Sequence, residues 1–313
     1  MRGDGYLPGA LVLAYALKMQ TTHDCICLVT SDVSEMARQA LGYVYDKVIQ
    51  INEIHHKSGI SQGRQDRNVL MTRFEALRLG PDGGLADYDK IVLLDADVLP
   101  IWGYDDLFSL ATPAGIIMEH KNECYQSVAN QCSKNAKTQI CSITSATTRW
   151  SWHSLYEPIC PHGTAIPKEI TNRARNDTSN MGVNSGLWVL TPSLQEYEAV
   201  ISSLQTTEVA ALVKSFPWPE MQLATLLWSG RWTNIDIRYC SIGGYPKVDA
   251  LYGIHFAGLK PWQIRNRSAQ HYAKFPDFTL WRQFYTSLYW QTPALRKIPA
   301  LQRLWAFFSS ITS

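Results

Sequence analysis

Short apolar runs alternate with stretches of helical periodicity over the first hundred residues of the chain. The apolar runs predict three strands, Cys25 to Val29, Lys47 to Ile51 and Lys90 to Leu94. The periodic stretches predict three helices, Leu11 to Lys18, Glu35 to Gly42 and Asn68 to Leu79, with Thr30-Ser31-Asp32 as the cap of the second. Strands that alternate with helices predict an α/β fold with a right-handed, mainly parallel sheet flanked by helices.

The pattern changes beyond residue 120. Residues 121–180 are polar, rich in Asn, Thr and Ser, and show no sustained period, which is typical of a functional or mobile segment. A strand at Gly186 to Leu190 and helices at Ser193 to Val213 and Pro219 to Trp228 are predicted next. After Trp262 the chain is mostly helical, aromatic and basic.

Composition narrows the class of protein. The 313 residues are 46% hydrophobic and 18% charged, which fits an ordinary globular protein of one large domain or two. A formal net charge of +2 is too small to indicate a nucleic-acid partner. The apolar stretch from Ala10 to Leu17 is too short to cross a bilayer, and the start lacks the pattern of a signal peptide. We therefore expect a cytoplasmic protein, or a Golgi protein if the start is truncated.

Cysteines and aromatic residues change this picture little. The seven cysteines are odd in number and have neither disulfide-scaffold nor zinc spacing, although a disulfide among Cys124, Cys132, Cys141 and Cys160 is left open. The 11 tryptophans and 15 tyrosines are compatible with a carbohydrate-facing cleft. The amphipathic stretch from Leu295 to Phe308 is expected to pack on the protein's own surface, with a membrane surface as the less favoured alternative.

Candidate chemistry begins with Asp95-Ala96-Asp97, directly after the apolar run Ile91 to Leu94. A run without alternation is typical of a strand buried on both faces, and ligands of α/β sheets bind outside the carboxyl ends of such strands. Two carboxylates there suit a hard divalent cation that can also hold the phosphates of a nucleotide. The structural alternative is a solvated turn, in which Asp is common.

Four segments in order carry a family resemblance: Tyr6 to Lys18, Tyr88 to Pro100 with its DADVLP ending, NSGLWVL from Asn184 to Leu190, and HFAGLKPW from His255 to Trp262. Together they resemble glycosyltransferase family 8, the glycogenin-like enzymes with a GT-A fold. The resemblance implies a nucleotide-sugar transferase domain over residues 1–262, with an irregular acceptor-side insertion at about 121–180. Residues 263–313 would then form a helical extension packed on that domain.

The same resemblance implies a metal site and a phosphate site. Asp95 and Asp97 would hold manganese, or else magnesium, with His255 as the third ligand; a structural histidine is the alternative for His255. Lys260 would bring positive charge to the diphosphate, unless it is a surface lysine. Gly258 would let the backbone approach phosphate. Ala96 belongs to the same donor-binding motif.

Further residues are implied around the reacting sugar. Asn184 and Ser185 would bond to the donor sugar or the acceptor, with a capped turn as the alternative. Arg73 would pair with phosphate or sugar oxygens, unless it is an exposed helix arginine. Glu220 would place a carboxylate near the anomeric carbon, with a helix N-terminal charge as the alternative. Trp150, Trp152, His153 and His162 would frame the acceptor.

Three features depart from the family pattern. The family's Asp-Gln pair is replaced by Glu220 and Met221, with Gln222 as a candidate substitute for the amide. The segment HFAGLKPW is one residue shorter than in glycogenin and resembles the plant xylan glucuronosyltransferase branch, so self-glucosylation is not implied. Family members also open with a strand that helps to bind uracil, and residues 1–5 are too few to form it.

The function expected from the sequence is metal-dependent transfer of a hexosyl group, with retention, from a UDP-sugar to a glycan or protein acceptor. Two other classes stay open: a catalytically impaired nucleotide-sugar or glycan-binding protein of the same fold, and a nucleotidyltransferase. A homodimer is also left open. The sequence does not set the donor sugar, because pocket shape rather than a short motif selects it.

Overall fold

The computed structural model describes residues 1–56, 67–118, 160–178, 180–242, 248–257, 259–264 and 275–311. Its α-helices are α1 Leu7–Lys18, α2 Glu35–Leu41, α3 Lys168–Asn176, α4 Leu194–Leu204, α5 Thr207–Ser215, α6 Pro219–Leu227, α7 Pro276–Gln291 and α8 Pro299–Ile311. Its strands are β1 Ile26–Val29, β2 Lys47–Gln50, β3 Ile91–Leu94, β4 Val98–Pro100, β5 Ala114–Ile117, β6 Val183–Leu190, β7 Thr233–Asn234, β8 Ser241–Ile242 and β9 Gly253–His255.

Short 3₁₀ segments connect these elements. They are Asp4–Tyr6, Arg67–Leu79, Tyr104–Ser109, Ile237–Tyr239, Val248–Ala250, Pro261–Gln263 and Pro293–Lys297. The longest, Arg67–Leu79, takes the place of the helix predicted from Asn68 to Leu79. Its backbone is therefore wound more tightly than the helical periodicity indicated.

The strands form three sheets with mixed strand directions. The largest has the order β3–β6–β5–β7, a second has the order β4–β9–β8, and β1 pairs with β2. Pairing is parallel for β1–β2, β5–β7 and β8–β9, and antiparallel for β3–β6, β5–β6 and β4–β9. Helices cover these sheets, so the α/β fold class predicted from the sequence is confirmed.

The C-terminal helices share an apolar core with the first helix. Leu301, Leu304 and Phe308 of α8 are buried in one cluster with α1 and with Trp281 of α7. The apolar face of α8 thus packs on the protein's own core, as the favoured sequence interpretation expected. None of the helices within the described ranges is long and apolar enough to cross a membrane.

Three local predictions were wrong in detail. Ser34, not Thr30-Ser31-Asp32, caps α2, because the capping oxygen must lie beside the first turn; its Oγ accepts from the Ala37 amide at 3.2 Å. The single helix predicted over Ser193 to Val213 is two helices, since the Thr206 hydroxyl accepts from the Val209 amide and starts α5 anew. Strand β3 was predicted to be buried on both faces, but all four of its residues are only half-buried, because they line a cavity.

Gly9 allows α1 to pack closely against the turn that follows β3. A Cβ atom at Gly9 would lie 2.4 Å from the Ala96 carbonyl oxygen and 2.3 Å from Cη2 of Trp262. We expect Gly9→Ala to lower the free energy of unfolding by about 1–3 kcal/mol, because this crowding outweighs alanine's better helix propensity. Urea unfolding followed by circular dichroism measures the change.

Gly5→Ala is the matched control, because a Cβ atom there meets no atom within 4 Å. Equal unfolding free energies for the two variants would contradict the close packing of α1 on this turn.

Candidate active site

The turn between β3 and β4 holds two carboxylates at the end of a strand. The Asp95 amide donates to the Gly186 carbonyl at 3.0 Å, and the Val98 amide donates to the Asp95 carbonyl at 3.0 Å. These bonds fix the turn, so both side chains project from one short stretch of backbone. Asp97 is buried, whereas Asp95 is partly exposed.

Pairing of β4 with β9 brings His255 to these carboxylates. Val98 is opposite His255 in the antiparallel register, and the Phe256 amide donates to the Asp97 carbonyl at 2.9 Å. His255 Nε2 lies 3.4 Å from Asp97 Oδ1 and 3.8 Å from Asp95 Oδ2. One donor atom from each of the three residues lies within 4.8 Å of the others. This arrangement can hold one divalent cation, and its mixture of oxygen and imidazole donors is a type used for such ions.

Lys260 is a buried cation beside the same cluster. Its Nζ donates to Asp97 Oδ2 and to the Phe256 carbonyl oxygen, and it lies 5.9 Å from the centre of the Tyr6 ring. A buried ammonium is stable only when it is paired and hydrogen-bonded, and here one carboxylate does both. The surface-lysine alternative therefore does not describe Lys260, which is 4% exposed.

Charge interactions set the protonation of this cluster. Burial would raise the pKa of Asp97, but attraction to His255 and Lys260 outweighs burial and holds that pKa well below its usual value. Burial would lower the pKa of His255, but the neighbouring Cys240 and Asp97 raise it to about 10. Because a metal-bound imidazole must be neutral at its ligand nitrogen, binding of a cation at this position would release a proton.

Strand β6 bends at its Asn-Ser-Gly sequence. Its register against β5 shifts between Gly115 and Ile116, which places residues 185–187 in a bulge. Asn184, the residue before the bulge, accepts at its Oδ1 from the Gly186 amide at 2.7 Å. A Cβ atom at Gly186 would lie 2.7 Å from His255 Nδ1, so the glycine leaves room for the imidazole. The side-chain oxygen of Asn184 therefore makes the hydrogen bond of a capped turn, which was the alternative interpretation of this residue.

Arg73 and Glu220 extend the cluster on the other side of Ser185. Arg73 donates from Nη1 to the Ser185 carbonyl at 2.6 Å and from Nη2 to Asp95 Oδ1. The Ser185 hydroxyl donates to Glu220 Oε1 at 3.1 Å. Burial raises the pKa of Glu220 although Arg73 attracts its charge. An exposed helix arginine was the alternative interpretation of Arg73. In the structure its side chain is largely buried and forms an ion pair with Asp95.

A cavity of about 800 Å³ opens from this cluster and continues between β1 and β3. Several side chains singled out from the sequence line it: Arg73, Asp95, Ala96, Asp97, Asn184, Ser185, Glu220, His255 and Lys260. Glu220 Oε2, Arg73 Nε and His255 Nδ1 are buried without a hydrogen-bond partner in the described structure. Unsatisfied buried polar atoms beside a cavity are typical of a ligand site.

The remaining predicted residues are either outside the described part of the chain or, in the case of His162, away from this cluster. Gly258, Trp150, Trp152 and His153 lie outside the described residues. His162 accepts from the Asp236 amide at 3.0 Å and stacks on Tyr239, and it does not line the cavity that the described residues form.

The proposed substitution of Gln222 for the family amide was wrong. Its Nε2 donates to the carbonyls of Thr178 and Asn180 at 3.0 and 2.8 Å, and its Oε1 accepts from the Trp218 amide at 3.0 Å. Gln222 is fully buried and ties α6 to the chain before β6. Met221, its neighbour, is the side chain that lines the cavity.

Two neighbours of the cluster were missed from the sequence. The Cys240 sulfur lies next to His255 and interacts with its imidazole, and burial raises the pKa of the Cys240 thiol. Tyr6 lines the cavity and places its ring near Lys260. No local sequence pattern marks Cys240, because only the pairing of β8 with β9 brings it to His255.

Known proteins resemble this chain over different lengths, although no family model matches it. It is 26% identical over 302 residues to the uncharacterized protein R707 of Acanthamoeba polyphaga mimivirus, and this alignment covers 90% of each chain. Glycogenin-1 of Homo sapiens is 35% identical over 111 residues, which are 34% of this chain and 29% of glycogenin-1. Galactinol synthase 7 of Arabidopsis thaliana is 24% identical over 280 residues, or 84% of this chain and 72% of that protein.

A solved structure resembles the fold over nearly the whole chain. The galactosyltransferase LgtC, crystallised with donor and acceptor sugar analogues, aligns with a TM-score of 0.53 and 12% identity. The alignment covers 92% of this chain and 96% of LgtC. At this identity the similarity establishes the architecture.

Proposed function

We propose that this chain, which is similar to glycogenin-1 and galactinol synthase 7 in sequence and to LgtC in fold, is a family 8-like glycosyltransferase that transfers a hexosyl group from a UDP-sugar to a glycan or protein acceptor. The observation that carries the proposal is the convergence of Asp95, Asp97 and His255, with Lys260 beside them, at the wall of a large cavity. Carboxylates, an imidazole and a lysine together suit a cation-bound diphosphate.

The metal ligands in this proposal are Asp95, Asp97 and His255, and the ion is manganese, with magnesium as the alternative. A bound cation supplies positive charge that neutralises the departing UDP. The Lys260 ammonium exchanges its bond to Asp97 for bonds to the same diphosphate oxygens. This places a second positive charge beside the leaving group. Arg73, now bonded to Asp95, lies close enough to exchange that carboxylate for a phosphate or sugar oxygen.

Glu220, Asn184 and Ser185 position the reacting groups. Glu220 is buried with one carboxylate oxygen held by Ser185 and the other without a partner in the described structure, so it can face a sugar. Asn184 and Ser185 line the cavity next to it and can bond the donor or acceptor. The acceptor hydroxyl approaches the face that UDP leaves, so the configuration of the sugar is retained.

A donor screen tests this function. We expect the protein to release UDP from at least one of UDP-glucose, UDP-galactose, UDP-glucuronate, UDP-xylose and UDP-N-acetylglucosamine when manganese is present. Release should fall to background in excess EDTA and recover when manganese is restored, because the cation stabilises the leaving group. Chromatographic separation of UDP from the donors measures it.

Two outcomes would contradict the proposal. Tight binding of UDP and manganese by calorimetry, without turnover of any donor, would indicate the non-catalytic binding protein. Formation of pyrophosphate instead of UDP would indicate nucleotidyl transfer.

A further inference from the structure

A group of stacked aromatic rings lies at the end of the β4–β9 pair that is farther from Asp97. Trp102 follows β4 and Tyr252 precedes β9, and the ring of Tyr252 stacks on Tyr239 with centres 4.4 Å apart. Tyr239 stacks in turn on His162 at 5.4 Å. Each of these four side chains lies outside the cavity wall that the described ranges form, so the rings belong to a separate surface.

Trp102 is the exposed end of this group, and it is held in place. It is 49% exposed, and its ring packs against Tyr252 with centres 4.4 Å apart and the ring planes inclined at 65°. The amides of Ile101 and Trp102 both donate to the Tyr252 carbonyl, at 2.7 and 3.2 Å. A ligand that covers the indole therefore meets a rigid surface and loses little affinity to ordering of the side chain.

Charged side chains border the rings. The Arg238 guanidinium lies over the Tyr252 ring at 5.1 Å and donates from Nε and Nη2 to the Asp236 carboxylate. A Cβ atom at Gly103 would lie 3.6 Å from Tyr252 Cδ1 and 3.7 Å from Asp106 Oδ2, which places this second carboxylate beside the same ring. Hydrogen-bond donors and acceptors thus surround an apolar aromatic face.

This combination of groups suits a sugar ring. One face of a gluco-configured pyranose presents C–H hydrogens, which match the negative face of an aromatic ring, and its edge presents hydroxyls that need donors and acceptors. An apolar protein partner would instead bury Asp106 and the pair of Arg238 with Asp236 at a cost in desolvation. Two carboxylates and one guanidinium leave the border with a net negative charge, which disfavours an anionic glycan.

We propose that Trp102 is the platform of a surface subsite for a neutral glycan built of gluco-configured pyranose units. One pyranose stacks on the indole, and its neighbouring hydroxyls bond to Asp106 and to Arg238. Because the subsite lies outside the cavity, it holds a glycan without occupying the donor or metal positions. The proposal does not depend on sugar transfer, and its test uses neither donor nor metal.

Binding of cellohexaose to the full-length chain tests this subsite. Ligand-observed NMR titrations without donor or manganese give Kd for the unaltered protein and for Trp102→Ala. Trp290→Ala is the matched control, because Trp290 is 52% exposed and also packs edge-on against aromatic neighbours. Asp106→Ala changes an exposed side chain at the border and leaves the rings in place, so it gives a second measurement should Trp102→Ala not fold.

We expect Trp102→Ala to weaken cellohexaose binding by at least about tenfold, because it removes the stacking surface. Asp106→Ala should weaken binding by about threefold or more, through loss of a charged hydrogen-bond acceptor. Trp290→Ala should leave Kd unchanged. Cellohexaose oxidised to carboxylates at its C6 positions should bind more weakly than cellohexaose itself.

Absence of cellohexaose binding to the unaltered protein overturns the proposal, and so does an equal Kd for Trp102→Ala. Equal losses in Trp102→Ala and Trp290→Ala overturn it as well, because they would indicate general damage. A dimer in light scattering that Trp102→Ala dissociates, without glycan binding, would identify a contact between two copies of the chain instead. Release of UDP from a donor should be the same in Trp102→Ala as in the unaltered protein, so failure of the proposed function is distinguishable from failure of this subsite.

Discussion

Asp97→Ala is expected to lower manganese-stimulated release of UDP by more than about a hundredfold, because in the proposed function Asp97 is a ligand of the cation that neutralises the leaving group. Asp97 is the more buried of the two carboxylates, and it contacts both His255 and Lys260. Its loss therefore removes a metal ligand and frees a buried ammonium at the same time. Initial rates at saturating donor over a manganese titration measure the effect.

Loss of folding must be separated from loss of metal binding in this experiment. Truncation of Asp97 leaves Lys260 buried and unpaired, which is destabilising. The double variant Asp97→Asn with Lys260→Met removes both charges at similar volume, so we expect it to fold but not to turn over. Asp87→Ala makes the same change of charge at an exposed position and should keep full activity. Full manganese-stimulated turnover by folded Asp97→Ala would falsify the metal assignment.

Lys260→Met is expected to change metal affinity and turnover in opposite directions. Without a bound cation, Lys260 neutralises Asp97, so its removal should tighten manganese binding by at least about tenfold. The same variant should lower the rate of UDP release by about 10²- to 10³-fold, because a buried positive charge no longer meets the diphosphate. Calorimetry with manganese alone and steady-state rates measure the two effects.

The opposite signs make this prediction specific. General damage to the site would weaken metal binding and turnover together, whereas a lysine that competes with the cation for Asp97 gives tighter binding and slower turnover. Lys297→Met changes an exposed lysine outside the cavity and should alter neither quantity. Weaker manganese binding by folded Lys260→Met would contradict the role assigned to Lys260.

The cluster is an electrostatic balance between paired groups. Arg73 holds Asp95 and Lys260 holds Asp97, so each carboxylate has its own cation. Such pairing stabilises four groups that would otherwise be costly to bury. Binding of a divalent cation would replace the pairing partners, which leaves Arg73 and Lys260 available for phosphate oxygens.

Local patterns along the sequence were sufficient for much of the architecture. The helix predicted from Leu11 to Lys18 and the strand predicted from Gly186 to Leu190 are present as the longer elements Leu7–Lys18 and Val183–Leu190. Their periodicity or apolar runs are contained in neighbouring residues, so local sequence was sufficient to find them. The short strand Ala114–Ile117 was not predicted, since four residues of small and branched side chains carry little periodic information. The cap of the helix at Glu35 was assigned to the wrong residues, and the break at Thr206 was missed, because one hydroxyl decides each of these helix starts.

Details of the site depended on contacts that have no local signal. From the sequence, Gln222 was a candidate to bind the sugar in place of the family's amide. Its side-chain amide instead forms hydrogen bonds with backbone groups of residues 178, 180 and 218. The bulge at residues 185–187 exists only relative to β5, so the Asn-Ser-Gly motif alone could not show why glycine follows serine. Cys240 reaches His255 through strand pairing alone.

By itself, the sequence determined that this is an α/β chain with two aspartates at the end of an apolar strand, and that its motifs resemble family 8 glycosyltransferases. Each of these properties depends on a short stretch of neighbouring residues. Only the tertiary structure decided that His255 and Lys260 meet Asp97, and that a cavity bordered by β1 and β3 opens beside them. The reason is physical: pairing of β4 with β9 joins distant segments through backbone hydrogen bonds, and backbone groups are the same for every residue.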